Sequence, residues 1–326
     1  CSKCGELKPF GEYNTENKRR SGVRADCKAC VSERVKLARL NRSPAATRAN
    51  GQPPQPMAEE NTEPYAHATG ASERMTDGSW ASIPDVHIDN HDRWAWAIAL
   101  EVVLRHKPRL LHIAGDLMDC EALSIHEPTS LRTPMSFEDE VAAANKHLDE
   151  IAQAIPSDCK VVFTEGIHEF RWVRELAKFQ HQTALRGATL TDLLNFEQRG
   201  WTWVPFREHY KVPGSNLRLT HSLEKFGVNS VRDHLKDVGD GSIVFGDIHR
   251  RELVECGDAD GNYRFSACPG WLGDHERITY MHRTKVQRTW RHGLMVGWVV
   301  DGRAYPHTVP IVSRKAVFEG RLIKAS

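Results

Sequence analysis

The sequence predicts an α/β fold for most of its 326 residues, and three observations point there. After Trp80, short apolar runs alternate with amphipathic stretches, the pattern of strands interleaved with helices. Polar triplets rich in Asp and His follow those apolar runs, where the carboxyl ends of strands would carry them. With 40% hydrophobic and 27% charged residues the composition is that of a globular chain, and a core fits most of this length beside a small appendage.

The first element is a pair of CxxC knuckles, Cys1 with Cys4 and Cys27 with Cys30, separated by 22 residues. Four thiolates in this arrangement predict one tetrahedral structural zinc holding a module too small for its own core. The other cysteines, Cys120, Cys159, Cys256 and Cys268, are scattered, which favours reduced thiols over a disulfide framework and predicts a cytoplasmic setting. Residues 1–48 hold 12 Lys and Arg against 5 Asp and Glu, so the net +1 of the whole chain hides a basic front and an acidic remainder. Lys18, Arg19, Arg20, Arg24 and Lys28 lie between or within the cysteine pairs and are candidate phosphate contacts, giving salt-dependent, sequence-tolerant affinity for nucleic acid. A solvated basic face or a protein-docking role is the alternative use of the same charges.

Residues 41–79 are rich in Pro, Ala, Asn and Glu and read as a flexible tether between residues 1–40 and a main domain at 80–326. Within that domain, strands are predicted at Leu110 to Ala114, Lys160 to Thr164, Leu217 to Thr220 and Ser242 to Phe245. Helices are predicted at Arg93 to His106 and at Phe137 to Ile155, the second announced by Ser136 with Asp139 three residues on. Later strands are expected around Leu253, at Tyr263 to Ala267, Leu294 to Val300 and Thr308 to Val312, joined by Asp260-Gly261 and Asp301-Gly302 turns. The longest apolar run, Trp94 to Leu104, is interrupted by Glu101 and is too short for a bilayer, so no membrane partner is expected.

Five motifs follow in order: DVH at 85–87, GDLMD at 115–119, GIHE at 166–169, THS at 220–222 and GDIH at 246–249. Carboxylates with neutral imidazoles suit Mn, Fe or Zn, and a carboxylate shared by two ions is the basis of two-metal phosphoryl chemistry. Any one such motif is common by chance; five in order, at spacings of 31, 52, 53 and 28 residues, are not. His112, His126, His147 and His209 fit no motif and are assigned to surface or packing. Trp172, Trp201, Trp203, Trp271, Trp290 and Trp298 are assigned to the core.

The ordered set resembles the calcineurin-like metallophosphoesterase superfamily, whose pattern is DxH, GDxxD, GNH with a following Asp or Glu, a single His, and GHxH. The resemblance implies a β-sandwich flanked by helices. It implies that Asp85, His87 and His249 hold a first metal, that Asp116 bridges, and that His221 serves a second. It also implies that His168 is the acid protonating the leaving oxygen, oriented by Asp119. Ile167 stands where the pattern has Asn, and Asp247 where it has the first His of GHxH. Asp247 remains a hard-cation ligand, whereas Ile167 ligates nothing, so the second site is expected to be weakened. One or two divalent ions are therefore expected, Mn before Mg, Ni, Fe or Zn.

The N-terminal knuckles resemble the small zinc module at the start of phage-type HNH and recombination endonuclease VII-like proteins, which implies nucleic-acid binding, DNA before RNA, and a host cytoplasm for a phage-encoded chain. Taken together the sequence predicts a metal-dependent phosphodiesterase or nuclease recruited to nucleic acid. The alternatives are a small-substrate or cyclic-nucleotide phosphodiesterase, and a catalytically weakened nucleic-acid- or partner-binding protein on the same fold.

Overall fold

A computed structural model describes residues 13–15, 23–30, 78–125, 133–179, 187–258, 260–278 and 284–325. The chain divides into two compact units, Cys1–Gly70 and Ala71–Ser326. In the first, β1 (Tyr13–Thr15) pairs antiparallel with β2 (Val23–Cys27). Cys27 is buried, Cys30 half-buried and Lys28 exposed, and Arg24 lies on β2. The other expected zinc and phosphate contacts, Cys1, Cys4, Lys18, Arg19 and Arg20, lie outside the described residues, as does His126.

The second unit opens with β3 (Gly78–Ile83), so an ordered strand begins inside the stretch expected to be tether. Its burial explains why: Trp80 is 1% exposed and stacks on Phe265 at 6.5 Å between ring centroids. Burying an indole removes some 150 to 250 Å² from water, worth roughly 4 to 6 kcal/mol of transfer free energy. Helix α1 (Arg93–His106) starts at Asp92, whose carboxylate accepts from the N–H groups of Trp94 and Ala95. It stops at Lys107, left-handed at φ 51°, just before Pro108, which cannot continue a helix. β4 (Leu110–Ile113) follows, then α2 (Phe137–Ala154), β5 (Lys160–Thr164), α3 (Phe170–Phe179), the short α4 (Leu190–Leu193) and α5 (Phe196–Arg199), and β6 (Thr202–Val204). At the start of α2, Ser136 caps the Asp139 N–H as predicted, while the Asp139 carboxylate accepts from the Ser136 hydroxyl.

The chain continues through β7 (Tyr210–Lys211), β8 (Leu217–Leu219), α6 (Ser230–Asp237), β9 (Ser242–Val244), β10 (Glu252–Gly257) and β11 (Tyr263–Cys268). It ends with β12 (Gly293–Val300), β13 (Arg303–Pro310), β14 (Lys315–Phe318) and β15 (Arg321–Lys324). β13 lies earlier than the strand expected at 308–312 because the Asp301-Gly302 turn lets it pair along the whole of β12, from Arg303 against Val300 to Pro310 against Gly293.

Two sheets result. One has the order β13-β12-β3-β4-β5-β6, with β3 to β6 parallel; the other has the order β10-β11-β9-β8-β7, with β8, β9 and β11 parallel. Alternation along the strands splits their side chains between two cores. Trp80, Leu110, Val162 and Met295 from the first sheet meet Leu217, Leu219, Val244 and Phe265 from the second. Ile83, Leu111, Ile113 and Phe163 turn the other way, onto Ile98, Val102 and Val103 of α1 and Leu148 and Ile151 of α2. Helix α6 covers the second sheet through Val231 against Phe245 and Leu235 against Ile243. This is a sandwich of two sheets with helices outside, mixed α/β throughout. Trp298, expected in the core, is 43% exposed: it shares a face of β12 with the buried Leu294 and Val296, but lies toward the end of the strand, in T-shaped contact with His106.

His112 shows how the interior handles a polar side chain that matches no motif. Its ring spans three strands, Nδ1 lying 3.0 Å from Ser82 Oγ on β3 and Nε2 3.0 Å from Thr164 Oγ1 on β5. Burial, reinforced by His221, pushes it down from 6.5 to about 3, so the folded protein holds it neutral. The unfolded chain takes up that proton first as pH falls. Stability from this residue is therefore fully present above about 6.5 and lost as pH falls from there toward about 3, by up to ~1.4 kcal/mol per pH unit. Urea unfolding in chelator should show wild type losing ~2 kcal/mol more between pH 7 and pH 5 than His112→Asn does, and parallel pH profiles would count against this account.

Candidate metal centre

All five motifs sit just past strand ends: Asp85 and His87 after β3, Asp116 after β4, His168 after β5, His221 after β8, and Asp247 and His249 after β9. Backbone strain marks the same places. His87, Asp116, Asp247 and His249 all have left-handed φ, between 44° and 71°, a conformation that costs an L residue roughly 1 to 2 kcal/mol. Two glycines make the close approach of the loops possible. A Cβ on Gly166 would lie 2.1 Å from Asp116 Oδ1, and one on Gly115 would lie 2.6 Å from His221 Nδ1.

Asp85, His87, Asp116 and His249 each place one donor atom within 4.8 Å of all the others, and all four are buried. His87 Nε2 and His249 Nε2 are 3.1 Å apart, and His249 Nε2 is 3.4 Å from Asp85 Oδ1. Asp119 Oδ1, 3.1 Å from His87 Nδ1, takes that nitrogen's proton in a hydrogen bond and leaves the lone pair on Nε2. Burial lowers His87 and brings His249 down to about 4, so both rings are neutral near pH 7, the form that ligates. Two imidazole nitrogens at this separation fit one shared ion with bonds of roughly 2.1 Å. Asp85 Oδ2, His221 Nε2, Asp247 Oδ2 and His249 Nδ1 are buried without a hydrogen-bond partner. Unpaired buried acceptors are costly, and a divalent cation is the partner that suits carboxylate and imidazole together.

The charges conform to the same reading. Burial raises Asp85 to about 7. Burial would also raise Asp116, but His221 and His168 outweigh it and hold this carboxylate well below its ordinary range. His221, which burial would lower, is held well above its usual value by Asp116, with Asp85 and Asp247 adding to the effect. A proton on His221 and a cation beside it are two ways to neutralise the same carboxylates. Its Nδ1 donates to the Ala114 carbonyl, which turns Nε2 toward Asp116 Oδ2 at 3.5 Å. His221 and Asp247 thus flank the four-donor group without joining it. The Asp247 N–H donates to Asp85 Oδ1 at 2.7 Å, while its own Oδ2 has no partner.

His168 stands apart from the four. Its Nδ1 lies 2.9 Å from Asp119 Oδ1 and 2.7 Å from the Asp119 carbonyl, so Nε2 is the atom turned toward the centre, 3.9 Å from Asp116 Oδ2. Burial would lower it, but Asp116 and the bond to Asp119 raise it to about 9, so the ring carries a proton near neutrality. Asp119 therefore orients two rings at once, and Asn90 donates to its other oxygen at 2.6 Å. With those lone pairs committed, the grouping of His87, Asp119 and His168 is a hydrogen-bonded array rather than a second ion cage.

Several contributors escaped the sequence reading. The fully buried Glu169 accepts from three backbone N–H groups: Asp116 at 2.9 Å and Gly166 at 3.0 Å on Oε2, and Met118 at 2.8 Å on Oε1. Its place at the end of GIHE was the available signal. Asn90 and Arg171 carried none. Trp271, fully buried, lies flat against the His249 ring at 5.0 Å and 14°, with Trp290 edge-on at 4.4 Å, so the core role expected of both indoles includes walling this histidine. Ile167 is 40% exposed beside His168 and contributes no polar atom.

No protein-family model matches the chain, and no curated protein matches it. Among solved structures, a single mutant of Vps29 from Entamoeba histolytica is similar at 11% identity and a TM-score of 0.39, over 75% of this chain and 96% of that one. Vacuolar Protein Sorting 29 from Cryptosporidium parvum is similar at 10% identity and a TM-score of 0.39, over 76% and 95%. YfcE, a phosphoesterase from E. coli, is similar at 14% identity and a TM-score of 0.33, over 72% and 100%. Likeness of this degree carries no chemistry across; the side chains must supply it.

Removing an outer partner of a metal-ligating histidine typically costs 10- to 100-fold in metal affinity. Calorimetric titration of Mn into Asp119→Ala should therefore show at least tenfold weaker binding than wild type with the ligand set untouched, and equal affinity would show that Asp119 does not position His87.

Proposed function

We propose that this protein is a metal-dependent phosphoesterase of the calcineurin-like type, acting on phosphodiester bonds in nucleic acid. The observation that carries the reaction is the convergence of Asp85, His87, Asp116 and His249, with an unpaired Asp85 oxygen buried among them, beside a histidine whose Nε2 is turned toward Asp116. A divalent ion held by those four supplies Lewis-acid stabilisation of the phosphoryl oxygens and lowers the pKa of a bound water. The chain's own residues do the rest. Asp119 fixes His168 through Nδ1, so the proton for the leaving oxygen is delivered from Nε2. Asp119 also fixes His87, so one carboxylate coordinates the orientation of a ligand and of an acid. Burial of every one of these groups keeps bulk water from screening the charge that develops on phosphorus.

The nucleic-acid part of the proposal rests on the basic, four-cysteine N-terminal segment in the sequence. In that reading residues 1–40 are a zinc-bound recruitment module and 41–79 a tether that raises local substrate concentration. One observation favours a second reading, a weakly catalytic binding protein: Ile167 offers no ligand, and His221 with Asp247 stay outside the four-donor group.

Two measurements test these assignments. In Mn, His168→Ala should cut turnover of a chromogenic phosphodiester by about 10² to 10⁴-fold with metal content intact, whereas Asp116→Ala should lose both. Equal metal loss in the two variants would refute the division of roles. Deleting residues 1–48 should lower cleavage of DNA at moderate salt by tenfold or more while the chromogenic diester is hydrolysed at the wild-type rate; equal losses on both substrates would remove the recruitment role.

A further inference from the structure

Arg171 lies in the first turn of α3, three residues beyond His168, and matches none of the five motifs. Its guanidinium is divided between two tasks. Nη1 donates to the carbonyl of Asp119 at 2.9 Å and, at 3.3 Å, to that of Cys120, which anchors the group on the loop that carries Asp116 and Asp119. Nη2 points the other way, 3.5 Å from His168 Nε2, the atom that faces Asp116. Among the described residues Nη2 has no oxygen acceptor.

A permanently charged, rigid donor is thus fixed beside the nitrogen assigned to the leaving oxygen. Next to it, position 167 is a half-exposed isoleucine that can neither ligate an ion nor donate to a phosphoryl oxygen. An oxyanion that approaches His168 Nε2 also comes close to Nη2, and guanidinium is the side chain best suited to phosphate oxygens.

We propose that Arg171 is a substrate-contacting residue whose Nη2 binds a non-bridging phosphoryl oxygen, the contact that Ile167 cannot make. This rests on the phosphoesterase reading for its substrate class but is read out separately by binding. With Mn-loaded protein and inorganic phosphate as the probe, calorimetry should show Arg171→Ala binding at least tenfold more weakly than wild type, with Arg171→Lys between them and metal content equal in all three. On a chromogenic phosphodiester, Arg171→Ala should lose about 10²-fold in kcat, as removal of one preorganised donor does. Added guanidinium should restore part of that rate saturably, which a purely structural role would not allow. Phosphate affinity unchanged in Arg171→Ala, or a rate loss matched by lost metal and indifferent to guanidinium, would overturn the proposal. Wild type that binds phosphate through Arg171 yet turns over no diester would overturn the phosphoesterase reading alone.

Discussion

Everything at the centre depends on one buried carboxylate. Glu169 gathers the N–H groups of Asp116, Met118 and Gly166, and in doing so ties the loop after β4 to the loop after β5. Those loops present Asp116, Asp119 and His168, so their spacing is set by three hydrogen bonds rather than by the strands alone. Burial raises Glu169 to about 7, with Asp116 adding to the rise, and the bond from Met118 opposes it. The backbone is thereby bent into a form that opposes its own preferences, with Asp116 left-handed at φ 44°. Strain of that order persists only where surrounding contacts over-determine it. Here they do: Gly115 and Gly166 remove the side chains that would collide, and Glu169 bonds the N–H groups that the sharp turns strip from the sheet.

The second constraint is charge. Asp85, Asp116, Asp119 and Glu169 are all buried, each 5% exposed or less, in a region whose nearest compensating groups are imidazoles. Imidazole is a weak counter-ion, since its charge depends on pH, and the rings divide into two kinds. His87 and His249 are forced neutral by burial and by the indole and imidazole rings around them. His168 and His221 are driven to hold protons by Asp116. A site that makes neighbouring histidines adopt opposite protonation states separates a ligand role from an acid role with one residue type.

The helices and most strands of the main unit were legible because their signals are local. Asp92 and Ser136 cap α1 and α2, and apolar runs such as Leu110 to Ile113 mark strands. What escaped was set by tertiary pairing. β3 follows a stretch of turn-forming composition and becomes a strand because β4 and β12 flank it; β13 runs farther toward its N-terminus than its apolar residues suggested because β12 offers a full-length partner. Trp298 is exposed although Leu294 and Val296 on the same face of β12 are buried, because burial on that face stops short of the strand's end. At the site, residues that reach the centre through a motif were found from their spacing, whereas Asn90 and Arg171 act by geometry that a linear pattern does not encode.

The polar atoms left unpaired have a distribution of their own. Asp85 Oδ2 belongs to a residue of the four-donor group and His249 Nδ1 is the ring nitrogen opposite the one facing His87, while His221 Nε2 and Asp247 Oδ2 lie outside the group; Asp116 reaches both sets, its Oδ2 lying 3.5 Å from His221 Nε2. The first set has four donors from three strand ends and an oriented outer partner in Asp119. The second offers an imidazole, a carboxylate and a share of Asp116. Under the proposed chemistry the two halves would be unequal: the first offers four side chains to an ion, and the second would offer His221, Asp247 and a share of Asp116. Arg171 Nη2 lies at the edge of this site, 3.5 Å from His168 Nε2, and brings a fixed positive charge to a carboxylate-rich centre where the neighbouring Ile167 adds no polar atom.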